Sequence, residues 1–199
     1  MLQRCGWLGV LTLSMGMLCL ASEAAAQSGL LPDERARETG RIEKGANFGP
    51  VLESYGSFFT FDDQELVTPD TAYKVVFDTN STTERGGMNP QINSAARFLN
   101  MHVGSGVPKE NVHAAVVLYG PATHDALSND AHQARFGVDN PNIPLIEALA
   151  EAGVPVYVCV QSANSLGIRP DEIEAPARMI LSGLTALVKL QADGYQRVY

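Results

Sequence analysis

The sequence predicts an α/β fold: a three-layer α-β-α sandwich on a mainly parallel sheet of about five strands. Three observations carry the prediction. Short β-branched runs recur, at Lys74–Phe77, Ala114–Leu118 and Val154–Val158. Stretches with apolar residues at helical spacing lie between them. Strands joined through crossover helices run parallel and are covered on both faces.

Each element has its own signal. Lys74-Val75-Val76-Phe77 reads as a buried first strand. After a polar loop containing Gly86-Gly87, Asn89 offers an N-cap and Pro90 a first helical residue. Ile92, Ala95, Ala96, Leu99 and Val103 then follow at helical spacing, and Gly104 is the expected stop. Ala114–Leu118 is the second strand. Thr123 to Phe136 reads as one weakly helical, partly exposed segment, and Asn140-Pro141-Asn142 as a turn. Leu145, Ile146, Leu149 and Ala152 mark another amphipathic helix ended by Gly153. The third strand, Val154–Val158, delivers Cys159. Met179–Leu181 is expected as the fourth strand, Ser182 as the cap of a helix carrying Leu184, Leu187 and Val188, and Tyr195–Tyr199 as the fifth.

Length and composition bound the function. The 199 residues, 45% hydrophobic and 18% charged, suit one globular domain that needs no disulfide to fold. With 14 Lys and Arg against 22 Asp and Glu, the net charge of −8 argues against nucleic acid or an anionic membrane as the main partner.

The first 26 residues have the pattern of a cleaved secretory signal. Arg4 precedes an apolar run from Gly6 to Leu20, and Ala24-Ala25-Ala26 supplies small residues for cleavage. The run is short for a bilayer span, so no membrane insertion is expected after cleavage, and the expected location is the periplasm. Cleavage removes Cys5 and Cys19 and leaves Cys159 as the one thiol. Residues 27–70 are expected to form an arm, charged at first and then rich in Val51, Leu52, Tyr55, Phe58, Phe59 and Phe61. That aromatic segment should pack on the domain or on a neighbouring subunit. Residues 71–199 form the α/β domain.

In parallel sheets ligands bind beyond the carboxyl ends of the strands. This singles out the loops Asp78–Met88, Tyr119–Asp125 and Cys159–Gly167. Cys159 leaves a strand where Gln161-Ser162-Ala163-Asn164 can begin a helix, and a helix N-terminus favours thiolate. A buried cysteine can also serve as a small hydrophobe. His124 could move a proton for a substrate or sit in an exposed loop; Asp78 could orient a ligand or cap its loop. His102, late in its helix, reads as structural, its partial charge suiting the dipole. His102, His113, His124 and His132 show no metal-ligand spacing, so no metal is expected. G-x-G-x-x-G, the P-loop pattern and G-x-S-x-G are absent, and no cofactor is expected.

Around Cys159 the sequence resembles the DsrE/DsrF/TusD-like sulfur-relay family. Val158-Cys159-Val160-Gln161-Ser162-Ala163 with Gly167-Ile168 is similar to its cysteine motif, and Val116-Val117-Leu118-Tyr119-Gly120-Pro121-Ala122 to its second-strand motif. Asn140-Pro141-Asn142 before Leu145 resembles exported members, and Ser182-Gly183 with Leu190–Tyr195 the usual ending. The resemblance covers Tyr73 to Tyr199. It implies flavodoxin-like layering, a homotrimer or homohexamer, and a cysteine that carries sulfane sulfur as a persulfide. Tyr119 stands where many relatives have His, and Ser165-Leu166 where relay members often have basic residues.

The expected function is periplasmic handling of sulfane sulfur or small thiols, with thiol or persulfide proteins as donor and acceptor. Cys159 is the candidate carrier, with Asp78, Tyr119, Gly120, His124, Gln161 and Ser162 as the expected substrate-binding residues. The alternative is a non-catalytic oligomeric module of the same fold that binds a small ligand or a partner.

Overall fold

The computed structural model describes residues 46–61, 67–83 and 87–198. The expected signal segment, the arm before residue 46, Gly86 and Tyr199 lie outside the described residues.

The strands are β1 (Tyr73–Thr79), β2 (Val112–Leu118), β3 (Val156–Cys159), β4 (Arg178–Ile180) and β5 (Gln196–Val198). They form one parallel sheet in the order β4-β3-β2-β1-β5. The helices are α1 (Pro90–Gly104), α2 (Asn129–Phe136), α3 (Ile143–Glu151), α4 (Val160–Ser165) and α5 (Gly183–Ala192). The fold is therefore the expected α/β sandwich.

The strand order explains the layers. From β1 to β4 the chain steps in one direction across the sheet, and right-handed crossovers keep the intervening helices on one face. The step from β4 to β5 reverses direction, which moves α5 to the other face. Side-chain parity agrees. Val75, Phe77, Ala114, Val116, Leu118, Val156 and Val158 pack with Ile92, Ala95, Ala96 and Leu99 of α1 and Leu145, Ile146 and Leu149 of α3. Val76, Ala115 and Val117 point the opposite way, towards Ala186, Leu187 and Leu190 of α5. Each fully buried Leu or Ile in these layers contributes about 1.5–3 kcal/mol.

Several boundaries differ from the sequence-based expectation. The segment Thr123–Phe136 is not one helix. A 3₁₀ turn over Gly120–Ala126 is followed by α2, which Ser128 caps through the Ala131 amide. β3 starts at Val156 rather than Val154, because Val154 and Pro155 complete the turn after α3 and the Val154 amide bonds back to Leu149 O. Leu181 lies beyond β4, and β5 is shorter than the expected run. α1 reaches Gly104 and caps at Ser105. The caps Asn89 and Ser182 are found as expected, each accepting a backbone N–H at its helix start.

The aromatic segment docks on the outer side of α1. Leu52, Tyr55 and Phe58 are buried. Asn100, a fully buried helix residue, accepts from the Val51 and Leu52 amides and donates to the Leu52, Tyr55 and Gly56 carbonyls. Asn93 accepts from the Gly56 amide at 2.9 Å. Gly56 has φ +64° and runs so close to the helix that a Cβ would lie 2.2 Å from the Arg97 amide nitrogen. No other residue fits there.

Asn100→Ala removes the side-chain acceptor of the Val51 and Leu52 amides and a donor to the Leu52, Tyr55 and Gly56 carbonyls. It is expected to destabilise the protein by about 2–3 kcal/mol and to expose residues 46–61 to limited proteolysis, read by denaturant titration and mass mapping of the cuts.

Candidate functional site

Parallel registers align the carboxyl ends of the strands, and one sheet face there carries the site. Cys159 pairs with Ile180, and Tyr119 directly follows the pair Leu118–Val158. Tyr119 and Cys159 are therefore neighbours across β2 and β3, on the α5 side of the sheet. Asp78 and Arg197 lie on that same side in β1 and β5.

Cys159 is 5% exposed and free of any disulfide. It is the N-cap of α4, and its sulfur accepts the Ser162 amide at 3.4 Å. Burial pushes the thiol up, but hydrogen bonds outweigh it: the Ser162 hydroxyl and the amides of Ser162, Gly183 and Gln161 hold it below the usual thiol range. The Ser162 hydroxyl can donate to sulfur because its oxygen already accepts the Gly120 amide at 2.8 Å. Gly120, Ser162 and the Gln161 backbone thus belong to the sulfur's surroundings. The Gln161 side chain turns away and donates to the Leu181 carbonyl at 3.2 Å.

Tyr119 and Asp78 form a second cluster. The Asp78 carboxyl, 2% exposed, is held by Arg197 through Nε at 2.6 Å and Nη2 at 2.7 Å, and it accepts the Tyr119 hydroxyl at 3.2 Å. Asp78 is an ion-pair partner rather than a loop cap. Burial and the adjacent Asp78 charge raise the Tyr119 phenol above its ordinary value, so Tyr119 keeps its proton and donates it to Asp78. These three residues border a polar cavity of about 390 Å³ with Asn80, Thr82 and Gln91.

His124 faces elsewhere. Its Nδ1 lies 2.9 Å from the Pro121 carbonyl, and its ring meets Phe136 edge-on at 5.2 Å. His102 is half-buried between Tyr73 and Phe98, and burial lowers its pKa. Its role is packing rather than the charge–dipole contact expected from the sequence. Among the described residues no group of three or more His, Cys, Asp or Glu could hold a metal ion, and no helix is long and apolar enough to cross a membrane.

A buried amide network fixes the loops above β1 and β2. Asn89 donates to Asp125 at 2.6 Å, and Thr82 donates to the other Asp125 oxygen at 2.6 Å. Asn142 accepts the Asn89 amide, and Asn140 ties Asn142 to the Asp125 and Leu127 carbonyls. Burial raises the Asp125 pKa, partly offset by the Thr82 and Asn89 hydrogen bonds. Behind α4, Glu172 pairs with Arg135 at 2.6 Å, and its carboxyl falls to about 2 through the Arg135 and Arg169 contacts.

Sequence reasoning missed Arg197 and Gly183. Arg197 carries no motif and is 119 residues from Asp78. Gly183 appeared only as part of a terminal pattern, yet its amide helps to lower the Cys159 thiol and a Cβ built on it would lie 3.3 Å from Tyr119 Cβ.

A lowered thiol pKa means that thiolate persists at pH values where an ordinary thiol is protonated. The alkylation rate at Cys159, followed by peptide mass spectrometry across pH, is expected to rise at lower pH than for free cysteine. Ser162→Ala removes one donor and is expected to move the profile upwards, lowering the rate below the midpoint by about three- to tenfold.

No curated protein matches the chain. The solved structure of a protein of unknown function, MTH1491 from Methanobacterium thermoautotrophicum, is similar over 63% of this chain and 97% of its own, at 18% identity and a TM-score of 0.48. The model of the DsrE/DsrF-like family matches residues 74–198, which takes in all five strands, Cys159 and the Asp78–Arg197 pair. The chain belongs to the DsrE/DsrF-like family.

Proposed function

We propose that the protein handles sulfane sulfur in the periplasm after loss of its signal segment, with Cys159 as the carrier. The observation that supports this reading is the setting of the Cys159 sulfur: the Ser162 amide donates to it at 3.4 Å, and the Ser162 hydroxyl and the Gly183 and Gln161 amides help to hold the thiol below its usual range. Such donors stabilise a sulfur anion by charge-assisted hydrogen bonds. They favour the thiolate that attacks the donor and that is restored once the sulfur has been passed on.

The step balances without an external oxidant. The Cys159 thiolate attacks the outer sulfur of a persulfide donor. A new S–S bond forms as the donor's S–S bond breaks, and the electron pair leaves on the donor's inner sulfur as thiolate. Any proton on the outer sulfur stays with it. Attack by an acceptor thiolate on the Cys159 persulfide reverses the process and returns the Cys159 thiolate. Tyr119 and Asp78 border the polar cavity beside this strand end.

A second reading, a non-catalytic small-ligand module, is favoured by one feature: the polar cavity is lined by Tyr119, Asp78 and Arg197 and not by Cys159. Cys159→Ser separates the readings, since a binding module tolerates it.

The same reading takes the protein as a homotrimer or homohexamer. Its support is an apolar stripe running from Leu181, just before α5, to Leu184 and Val188 on that helix, which are 66%, 78% and 69% exposed. A soluble chain seldom leaves such a stripe uncovered.

Two experiments test these statements. Protein incubated with inorganic polysulfide is expected to gain sulfur on the Cys159 peptide by mass analysis, and Cys159→Ser to gain none on that peptide. A wild-type chain that never gains sulfur sinks the carrier reading. Light scattering after Leu184→Lys with Val188→Lys is expected to show dissociation to smaller species; an unchanged mass excludes that face as the interface.

A further inference from the structure

We propose that Arg197 is a positioning residue for Cys159, acting through Asp78 and Tyr119 to hold the N-terminus of α5 against the sulfur. The proposal rests on the reading of Cys159 as the reactive group.

The chain of contacts is continuous across four strands. Arg197 grips both oxygens of Asp78 at 2.6 and 2.7 Å. Two parallel N–H···O bonds fix the carboxylate in orientation as well as position. Asp78 in turn receives the Tyr119 hydroxyl at 3.2 Å, which sets the tilt of the tyrosine ring. The base of that ring is a wall for α5. A Cβ placed on Gly183 would lie 3.3 Å from Tyr119 Cβ and 3.4 Å from Cγ, closer than ordinary van der Waals contact. Gly183 is the first residue of α5, Tyr119 neighbours Cys159 across β2 and β3, and the Gly183 amide is among the groups that lower the Cys159 thiol. The glycine lets α5 approach Tyr119, and Tyr119 limits how far the helix start can move.

Each link has a physical reason to matter. Asp78 is a buried carboxylate, and among the described residues Arg197 is the cation that compensates its charge. Without that cation Asp78 would pull the Tyr119 hydroxyl and ring towards itself, and the wall behind Gly183 would shift. A displaced Gly183 amide weakens an effect that favours the thiolate specifically. The groups that lower the thiol are themselves uncharged and come from α4 and α5, so their placement sets their effect.

The test is the pH profile of Cys159 alkylation by iodoacetamide in the full chain, with thermal melts to confirm folding. Arg197→Gln and Tyr119→Phe are both expected to move the profile upwards, lowering the rate below the wild-type midpoint by about three- to tenfold. Gly183→Ala is expected to act in the same direction by pushing α5 off Tyr119. A purely structural role for Arg197 lowers the melting temperature and leaves the profile unchanged. The proposal is overturned if folded Tyr119→Phe and Arg197→Gln both keep the wild-type profile. If Arg197→Gln fails to fold, Tyr119→Phe decides, because it removes one hydroxyl and keeps the ring. Alkylation uses no sulfur donor, so the two readings fail separately. Shifted profiles without sulfur uptake sink the carrier reading alone, and normal sulfur uptake with unshifted profiles sinks the positioning role alone.

Discussion

The reversal of the chain between β4 and β5 is the constraint on which the rest depends. Four strands advance in one direction, and the crossover rule confines their helices to one face. Only the return from β4 to the far side of β1 delivers a helix to the other face. That single crossover does two further things. It brings the start of α5 beside the end of β3, where the Gly183 amide helps to lower the Cys159 thiol. It also lays β5 along β1, where Arg197 meets Asp78. The sulfur's surroundings and the ion pair are thus two ends of one topological event.

The polar groups at the carboxyl edge of the sheet divide into two kinds. Asn89, Asn140, Asn142, Thr82 and Asp125 satisfy one another and hold the loops above β1 and β2 in place. Their cost of burial is offset by closed hydrogen bonding, as buried polar groups require. The groups near Cys159 are arranged differently. The Ser162 amide donates to the Cys159 sulfur, and the Ser162 hydroxyl and the Gly183 and Gln161 amides add to the lowering of its pKa, an effect that favours a charged sulfur. A structural cysteine gains little from such an effect. The α4 side of this arrangement is braced by Glu172, whose ion pair with Arg135 anchors the chain beyond Gly167.

Much of the fold was legible because local signals and burial agree. The β-branched runs, the Asn89-Pro90 start of α1 and the Ser182 cap of α5 are all short-range features, and the structure uses each of them. Position of the candidate thiol was legible too, since Cys159 follows a strand and precedes a helix start. Asp78 and Tyr119 could be placed at strand ends, but not their mutual contact. The pairing of Asp78 with Arg197 was not legible, because it depends on β5 choosing the β1 edge, which no nearby residue encodes. Gly183 was opaque for a similar reason: its need to be glycine comes from Tyr119, which is distant in sequence and adjacent in space. The split of Thr123–Phe136 into a 3₁₀ turn and a helix reflects tertiary bonds, from the Ser128 amide to Glu172 O and from Asn140 to Leu127 O.

The central claim is that the fold holds Cys159 as an anion-stabilised sulfur. Thiolate absorbance measures this directly, taken as the ultraviolet difference between the full chain and Cys159→Ser through a pH titration, so that Cys5 and Cys19 cancel. The account expects the difference signal to appear below the ordinary thiol range and to vanish on unfolding in denaturant. A signal that rises only at or above the value for free cysteine would contradict it.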